Sequence, residues 1–260
     1  DGLTLGALST LAQLETHIAV RERYAALAEA AGLAATPQLR NMATVGGNLL
    51  QRPRCWYFRN EQFHCKKKGG QTCYAQTGEN QYHAVFDNDP CAIVHPSATA
   101  TALVALGARV ELTGEKGKRE VTLEEFFITP EVDVRRENSI GEKELLTGIR
   151  VPPLGEGART VYLKQGEKES FDWPIADVCV VLARDAAGRC ASASVVLGAA
   201  APVPLRARGA ESALVGKVID EETARAAARA AVSGATPLAE NGYKVAVFEA
   251  LVRRAVLSAV

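Results

Sequence analysis

The sequence predicts an α+β fold, and three observations carry that reading. Strand-like and helix-like segments come in separate runs. The last quarter of the chain is a succession of Ala-rich helical patterns, and the stretch Pro152-Pro153-Leu154-Gly155-Glu156-Gly157 marks a boundary between two units. Segregated runs of this kind place helices on one side of antiparallel sheets rather than in strand–helix–strand crossovers.

The opening segment Asp1–Ala7 reads as a buried strand entering a turn; with no initiator Met before it, the sequence is expected to begin inside a longer fold. Arg21–Ala31 is expected to be helical, because Val20, Tyr24, Leu27 and Ala28 share one face and Gly32 is placed to cap the end. Thr99–Leu106 reads as a second short helix. Ala108–Leu112 and Glu120–Leu123, about a turn at Gly114–Gly117, form a hairpin-like unit. Beyond the boundary, strands are expected at Thr160–Gln165, Ile175–Arg184 and Cys190–Ala199. The last two are joined by Asp185-Ala186-Ala187-Gly188, which predicts an antiparallel meander. Helices at Ala207–Val215, Glu221–Ser233 and Tyr243–Ala259 complete the chain.

Thirty Lys and Arg balance thirty Asp and Glu in 260 residues, so no electrostatic footprint for nucleic acid or an anionic membrane exists. The longest apolar runs, Val178–Ala183 and Ala199–Val203, are far shorter than the roughly 20 residues that span a bilayer. A soluble chain with a sizeable core is expected, cytoplasmic or, if exported folded with a partner, periplasmic.

Six cysteines are distributed unevenly. Cys179 and Cys190 lie in strand-like apolar runs, where a free thiol packs as a small hydrophobe. Cys55, Cys65, Cys73 and Cys91 fall in a long segment with almost no regular period, which something other than a hydrophobic pattern must order. Two disulfides, a zinc ion with His64 among its ligands, or an iron–sulfur cluster could each do so. The chain is large and apolar, unlike small disulfide scaffolds, and it lacks the close cysteine pairs of zinc knuckles. Wide spacing amid cationic groups suits a [4Fe–4S] cluster best, although it matches neither familiar ferredoxin spacing.

Just upstream, Arg40-Asn41-Met42-Ala43-Thr44-Val45-Gly46-Gly47-Asn48-Leu49 contains a Gly-Gly pair that permits positive φ and close approach of a phosphate or flavin edge to backbone N–H groups. A plain tight turn would use the same residues. The string as a whole resembles the flavin-binding motif of the FAD subunits of the xanthine dehydrogenase family of molybdenum hydroxylases. The opening LTLGALSTLAQLE, the run His95-Pro96-Ser97 with Ala102–Ala108, the strand Leu145–Pro152, the strand Tyr162-Leu163-Lys164 and the closing Pro237–Lys244 and Leu251–Ala255 resemble successive pieces of that family. The similarity spans essentially the whole chain. It implies a FAD-binding domain of the PCMH/CO dehydrogenase flavoprotein type over 1–154, with its first subdomain outside this chain, and a CO dehydrogenase flavoprotein-like C-terminal domain over 158–260. The segment beginning Gln51-Arg52-Pro53-Arg54-Cys55-Trp56-Tyr57-Phe58 resembles an insert, here 51–94, found in bacterial aldehyde oxidoreductase FAD subunits that carry an extra [4Fe–4S] cluster.

The resemblance implies that Thr44, Gly46, Gly47 and Asn48 contact the ribityl–pyrophosphate part of FAD, that Leu146 packs beside the cofactor, and that Lys164 and Trp173 lie near its isoalloxazine ring. It makes Cys55, Cys65, Cys73 and Cys91 the cluster ligands. Ala98 stands where the family usually has an Asp that bonds the ribityl chain, which removes one contact. No catalytic acid, base or nucleophile is expected, because the flavin carries the chemistry. The implied function is electron transfer to an external acceptor within a complex containing a molybdenum-cofactor subunit and a [2Fe–2S] subunit. A FAD subunit of an aromatic acyl-CoA reductase, or a non-enzymatic metal-stapled binding module, are the alternatives.

Overall fold

The structure is a computed structural model and describes residues 2–168 and 170–260; Asp1 of the opening segment lies outside the described residues. Strand β1 (Leu3–Gly6) leads into short helices: α1 (Leu11–Thr16), α2 (Ile18–Arg23), α3 (Ala25–Gly32), α4 (Pro37–Met42), α5 (Val45–Leu49) and α6 (Trp56–Arg59). Thr10 and Gln13 start α1 with a reciprocal capping box, each side chain accepting from the other's backbone N–H. The single helix expected over Arg21–Ala31 is divided at Tyr24, whose φ of −137° and ψ of 49° separate α2 from α3; Gly32 ends inside α3 and Leu33 caps it. Long-range contacts cause the break. The Tyr24 hydroxyl donates to Pro152 O at 3.0 Å, and the Ala26 N–H donates to Thr160 Oγ1 at 3.1 Å instead of continuing a helix.

After residues 51–94, α7 (Ala98–Ala105), β2 (Arg109–Gly114), β3 (Gly117–Thr122), α8 (Leu123–Phe126) and β4 (Glu144–Val151) complete the first unit. Its sheet is antiparallel in the order β1-β4-β2-β3, with Thr4 opposite Arg150 and Arg109 opposite both Arg150 and Thr122. The second unit is the expected meander, β5 (Arg159–Gln165), β6 (Ala176–Arg184) and β7 (Cys190–Gly198), extended by β8 (Leu205–Arg206). Helices α9 (Arg208–Leu214), α10 (Glu221–Val232) and α11 (Tyr243–Ser258) follow.

Strand β6 explains why the second sheet reads as a nearly continuous apolar run: it is covered on both faces. Cys179 packs with α3 and α7 in the core of the first unit, whereas Val178 and Val180 pack with Ala210, Ala227, Phe248 and Val252 from α9–α11. Every residue of α7 is buried, as a helix apolar all round must be. Cys179 and Cys190 are both buried, as the strand patterns predict. Among the described residues all cysteines are free, so disulfides do not order the 51–94 segment. No helix of the described residues is long and apolar enough to cross a membrane.

That segment holds only α6 and two single 3-10 turns, Lys66–Lys68 and Tyr74–Gln76. Side chains from both units fasten it. Lys244 at the start of α11 is fully buried and donates to His83 O at 3.0 Å and Ala199 O at 2.7 Å, while Asn241 Nδ2 donates to His83 O and Ala84 O. Asn80 and Glu240 exchange bonds, Asn80 N to Glu240 Oε2 and Glu240 N to Asn80 Oδ1. On the other side, buried Lys67 lies 2.7 Å from Glu137 Oε1, an ionic contact without hydrogen-bond alignment, and donates to Val134 O and Arg136 O.

Candidate functional site

The glycine pair does not adopt positive φ. Gly46 and Gly47 are helical residues of α5, opened by Thr44, whose Oγ1 accepts from Gly47 N at 3.1 Å. Gly46 N donates to Ala7 O at 2.9 Å and Val45 N to Ser9 O at 2.8 Å, so these N–H groups are taken up within the chain. What requires glycine at position 46 is packing: a Cβ there would stand 3.0 Å from both Ala7 Cβ and Ala7 O. Asn48 is the polar centre of the turn. Its Oδ1 accepts from Ser97 Oγ and Thr99 Oγ1, both at 2.6 Å, and no described residue takes its Nδ2 hydrogens. Ser97 in turn caps α7 through Ala100 N.

From Asn48 and Ser97 the chain runs directly into a cavity of ≈290 Å³ whose lining includes Pro96, Arg54, Trp56, His83, Cys55 and Trp173. Trp173 is half exposed, and the Arg54 guanidinium stands 4.6 Å from its ring centroid, a cation–π contact. Lys164 stands behind the lining residue Asp172: its Nζ donates to Leu33 O at 3.0 Å and Asp172 O at 2.5 Å, and burial pushes the ammonium below its ordinary range. Leu146 belongs to the hydrophobic core at 9% exposure, whereas its neighbour Leu145 is 71% exposed on the other face of β4. The core reading of Leu146 is therefore what the fold gives.

Cys55, Cys65, Cys73 and Cys91 line one smaller cavity together with Lys67 and His83. Cys55 and His83 line both cavities and so form the wall between them. The thiols are held in different states. A hydrogen bond from Cys91, helped by the N–H groups of Ala92, Ala75 and Gln76, draws Cys73 below the ordinary thiol range. The same bond and burial push Cys91 up, and burial pushes Cys55 up to about 11 against N–H groups of Phe58 and Tyr57. Backbone donors thus aim at the sulfurs, and buried Lys67 favours the anionic form of Cys91. Four free thiols around one cavity with N–H donors and a buried cation fit a multi-iron cluster. Among the described residues no three His, Cys, Asp or Glu side chains form a group that could hold a metal ion.

His64, the histidine the sequence offered as a ligand, is exposed. His83 takes the place beside the sulfurs, with Nε2 at 3.2 Å from Cys55 Sγ. Burial and the nearby Lys244 push His83 down to about 4, so the imidazole is neutral at physiological pH. Its position eight residues before Cys91, in the same irregular segment, was the signal available for it.

The family described as the FAD binding domain in molybdopterin dehydrogenase matches residues 1–154, and the CO dehydrogenase flavoprotein C-terminal domain matches residues 161–259. The chain belongs to the FAD-binding subunits of the molybdopterin dehydrogenases. Within this flavoprotein family it is 34% identical over 94% of its length to the aldehyde oxidoreductase FAD-binding subunit PaoB of Escherichia coli, covering 74% of that protein. It is 28% identical over 99% of its length to the carbon monoxide dehydrogenase medium chain of Hydrogenophaga pseudoflava, again covering 74%. The fold superimposes with a TM-score of 0.72, at 29% identity, on a carbon monoxide dehydrogenase from Hydrogenophaga pseudoflava that lacks the Mo-pyranopterin moiety of the molybdenum cofactor; 98% of this chain and 74% of that chain are covered. The CO dehydrogenase flavoprotein fold with its mixed helices and antiparallel sheets is thereby established, and so is an oxidoreductase flavoprotein rather than a non-enzymatic module. These likenesses support FAD. They give no support to an iron–sulfur cluster in this chain, which rests on the cysteine cavity alone.

Proposed function

We propose that this chain is the electron-transferring flavin subunit of a molybdenum hydroxylase acting on aldehydes, and that Cys55, Cys65, Cys73 and Cys91 ligate a [4Fe–4S] cluster within it. The partners are a molybdenum-cofactor subunit and a [2Fe–2S] subunit, in a heterotrimer that delivers electrons to an external acceptor. The likeness to an aldehyde oxidoreductase FAD-binding subunit supports the substrate class. The observation that carries the cluster is the convergence of four free thiols on one cavity that shares the Cys55–His83 wall with the Trp173 cavity.

Bound FAD supplies exchange of one or two electrons, and a cluster supplies a one-electron carrier beside it. The chain's own residues bind and orient. Asn48, with free amide hydrogens, Lys164 and Trp173 are the contacts toward FAD; Thr44, Gly46, Gly47 and Leu146 shape the surface that carries them. Lys67 and the backbone N–H groups offset the charge of the sulfurs, and Trp56, Tyr57 and Phe63 pack edge-on to keep water from them. The segment 51–94 is the insert that brings these groups to the flavoprotein fold.

The test is iron, sulfide and metal analysis with low-temperature EPR on the anaerobically purified full-length subunit. Four iron and four sulfide per chain, with the reduced signal lost in Cys65→Ser, is the expected result. Stoichiometric zinc, or an iron-free chain that is fully folded, overturns the cluster. Trp173→Phe tests the ring contact: flavin fluorescence is expected to rise as quenching is lost, and unchanged fluorescence argues against it.

A further inference from the structure

We infer that His83 is the N–H donor to the Cys55 sulfur, a positioning residue that makes the cluster easier to reduce. The inference rests on the reading that Cys55 ligates iron–sulfur. A sulfur bonded to iron carries no proton, so the hydrogen in the 3.2 Å contact between His83 Nε2 and Cys55 Sγ belongs to the imidazole. Nδ1 is buried and makes no aligned hydrogen bond among the described residues, the Asn80 backbone being the polar group beside the ring.

The fold holds this ring in place from several directions. His83 N donates to Asn80 O at 2.9 Å, and its carbonyl accepts from Asn241 Nδ2 at 3.2 Å and Lys244 Nζ at 3.0 Å. The ring packs edge-on against Trp56, with centroids 5.0 Å apart, and tilted against Tyr57 at 6.2 Å. A residue so fixed, at 3% exposure, presents Nε2 to Cys55 at little entropic cost. Apart from the thiol contact between Cys91 and Cys73, the other donors to Cys55, Cys73 and Cys91 are backbone N–H groups, which substitution leaves in place. His83 is the side-chain donor to Cys55, and it stands on the wall between the two cavities. Hydrogen bonds to cluster sulfur favour the reduced form because reduction places more negative charge on those atoms.

The test is an EPR-monitored redox titration of the cluster in the full complex for wild type, His83→Leu and His83→Gln, with iron and sulfide measured on each and the FAD couple as internal control. A more negative cluster midpoint in His83→Leu, partly restored by the amide of His83→Gln, with the FAD couple unmoved, is expected. A fully loaded His83→Leu cluster with the wild-type midpoint overturns the inference. If His83→Leu holds no iron, wild-type protein carrying 15N-histidine decides by pulsed EPR. A nitrogen coupling on the reduced cluster signal, lost in His83→Gln, supports the bond, and its absence in wild type rejects it. An iron-free wild type fails differently, because it removes the cluster reading itself.

Discussion

Substituting Gly46→Ala tests how the turn at Gly46-Gly47 is built. The added methyl would lie 3.0 Å from Ala7 Cβ and 3.0 Å from Ala7 O, inside the roughly 3.5–4.0 Å at which nonbonded carbons are most favourable. No side-chain rotation relieves the second contact, because Ala7 O is backbone and accepts the Gly46 N–H at 2.9 Å. Overpacking of this kind costs about 1–3 kcal/mol. Gly46 is helical, so Ala gains about 1 kcal/mol of helix propensity. The upper part of the overpacking range applies, since the bond between Gly46 and Ala7 must stretch, and a net loss of about 1–2 kcal/mol follows. For a chain of this size that is a fall of about 2–8 °C in Tm. Thermal unfolding followed by circular dichroism measures it. Adding Ala7→Gly removes the Cβ contact but not the oxygen contact and is expected to recover part of the loss. A Gly46→Ala protein that unfolds at or above the wild-type temperature refutes the packing argument.

Asn48→Ala leaves the buried hydroxyls of Ser97 and Thr99 without their shared acceptor and is expected to cost about 1–3 kcal/mol in urea unfolding with an unchanged m-value, together with weaker FAD retention. An unchanged midpoint would show that the two hydroxyls find other partners. Lys67→Met removes one partner of a buried ion pair; Glu137 keeps Arg52 at 2.9 Å, so the loss falls near the lower end of about 3–5 kcal/mol. Limited proteolysis is expected to cut within 51–94 before the rest of the chain, and an unchanged cleavage pattern contradicts the fastening role. Burial pushes the Asp177 carboxyl up from 3.8 to about 7, so the native state binds its proton more tightly than the unfolded chain. Its contribution to stability is full below about pH 4 and is lost as pH rises toward about 7. Asp177→Asn is expected to flatten that part of the stability curve, and parallel curves for the two proteins would reject the assignment.

Local patterns made much of this fold legible. The β5–β7 meander and helices α10 and α11 appear where alternation, the Asp185–Gly188 turn and the Ala-rich runs place them, because each depends on neighbours in sequence. The break at Tyr24 does not, since it is made by Pro152 and Thr160, more than a hundred positions away. The glycine pair was visible as a special site, but its reason was not: close packing on Ala7, rather than positive φ, demands Gly46. The four cysteines of the irregular segment line one cavity. Adjacency to Cys65 made His64 the histidine of the zinc alternative, while the chain turns His64 outward and brings His83 onto Cys55. Nothing in the lysine run at 66–68 marks one member from the others, and the fold buries Lys67 against Glu137, a residue far along the chain.

The central claim is that this chain carries FAD. Flavin released from the full-length subunit, purified from cells supplied with riboflavin and quantified against protein, tests it most directly. One FAD per chain, with a flavin absorption spectrum, is the predicted result. A folded, intact subunit that retains no FAD, alone or in its complex, would contradict it.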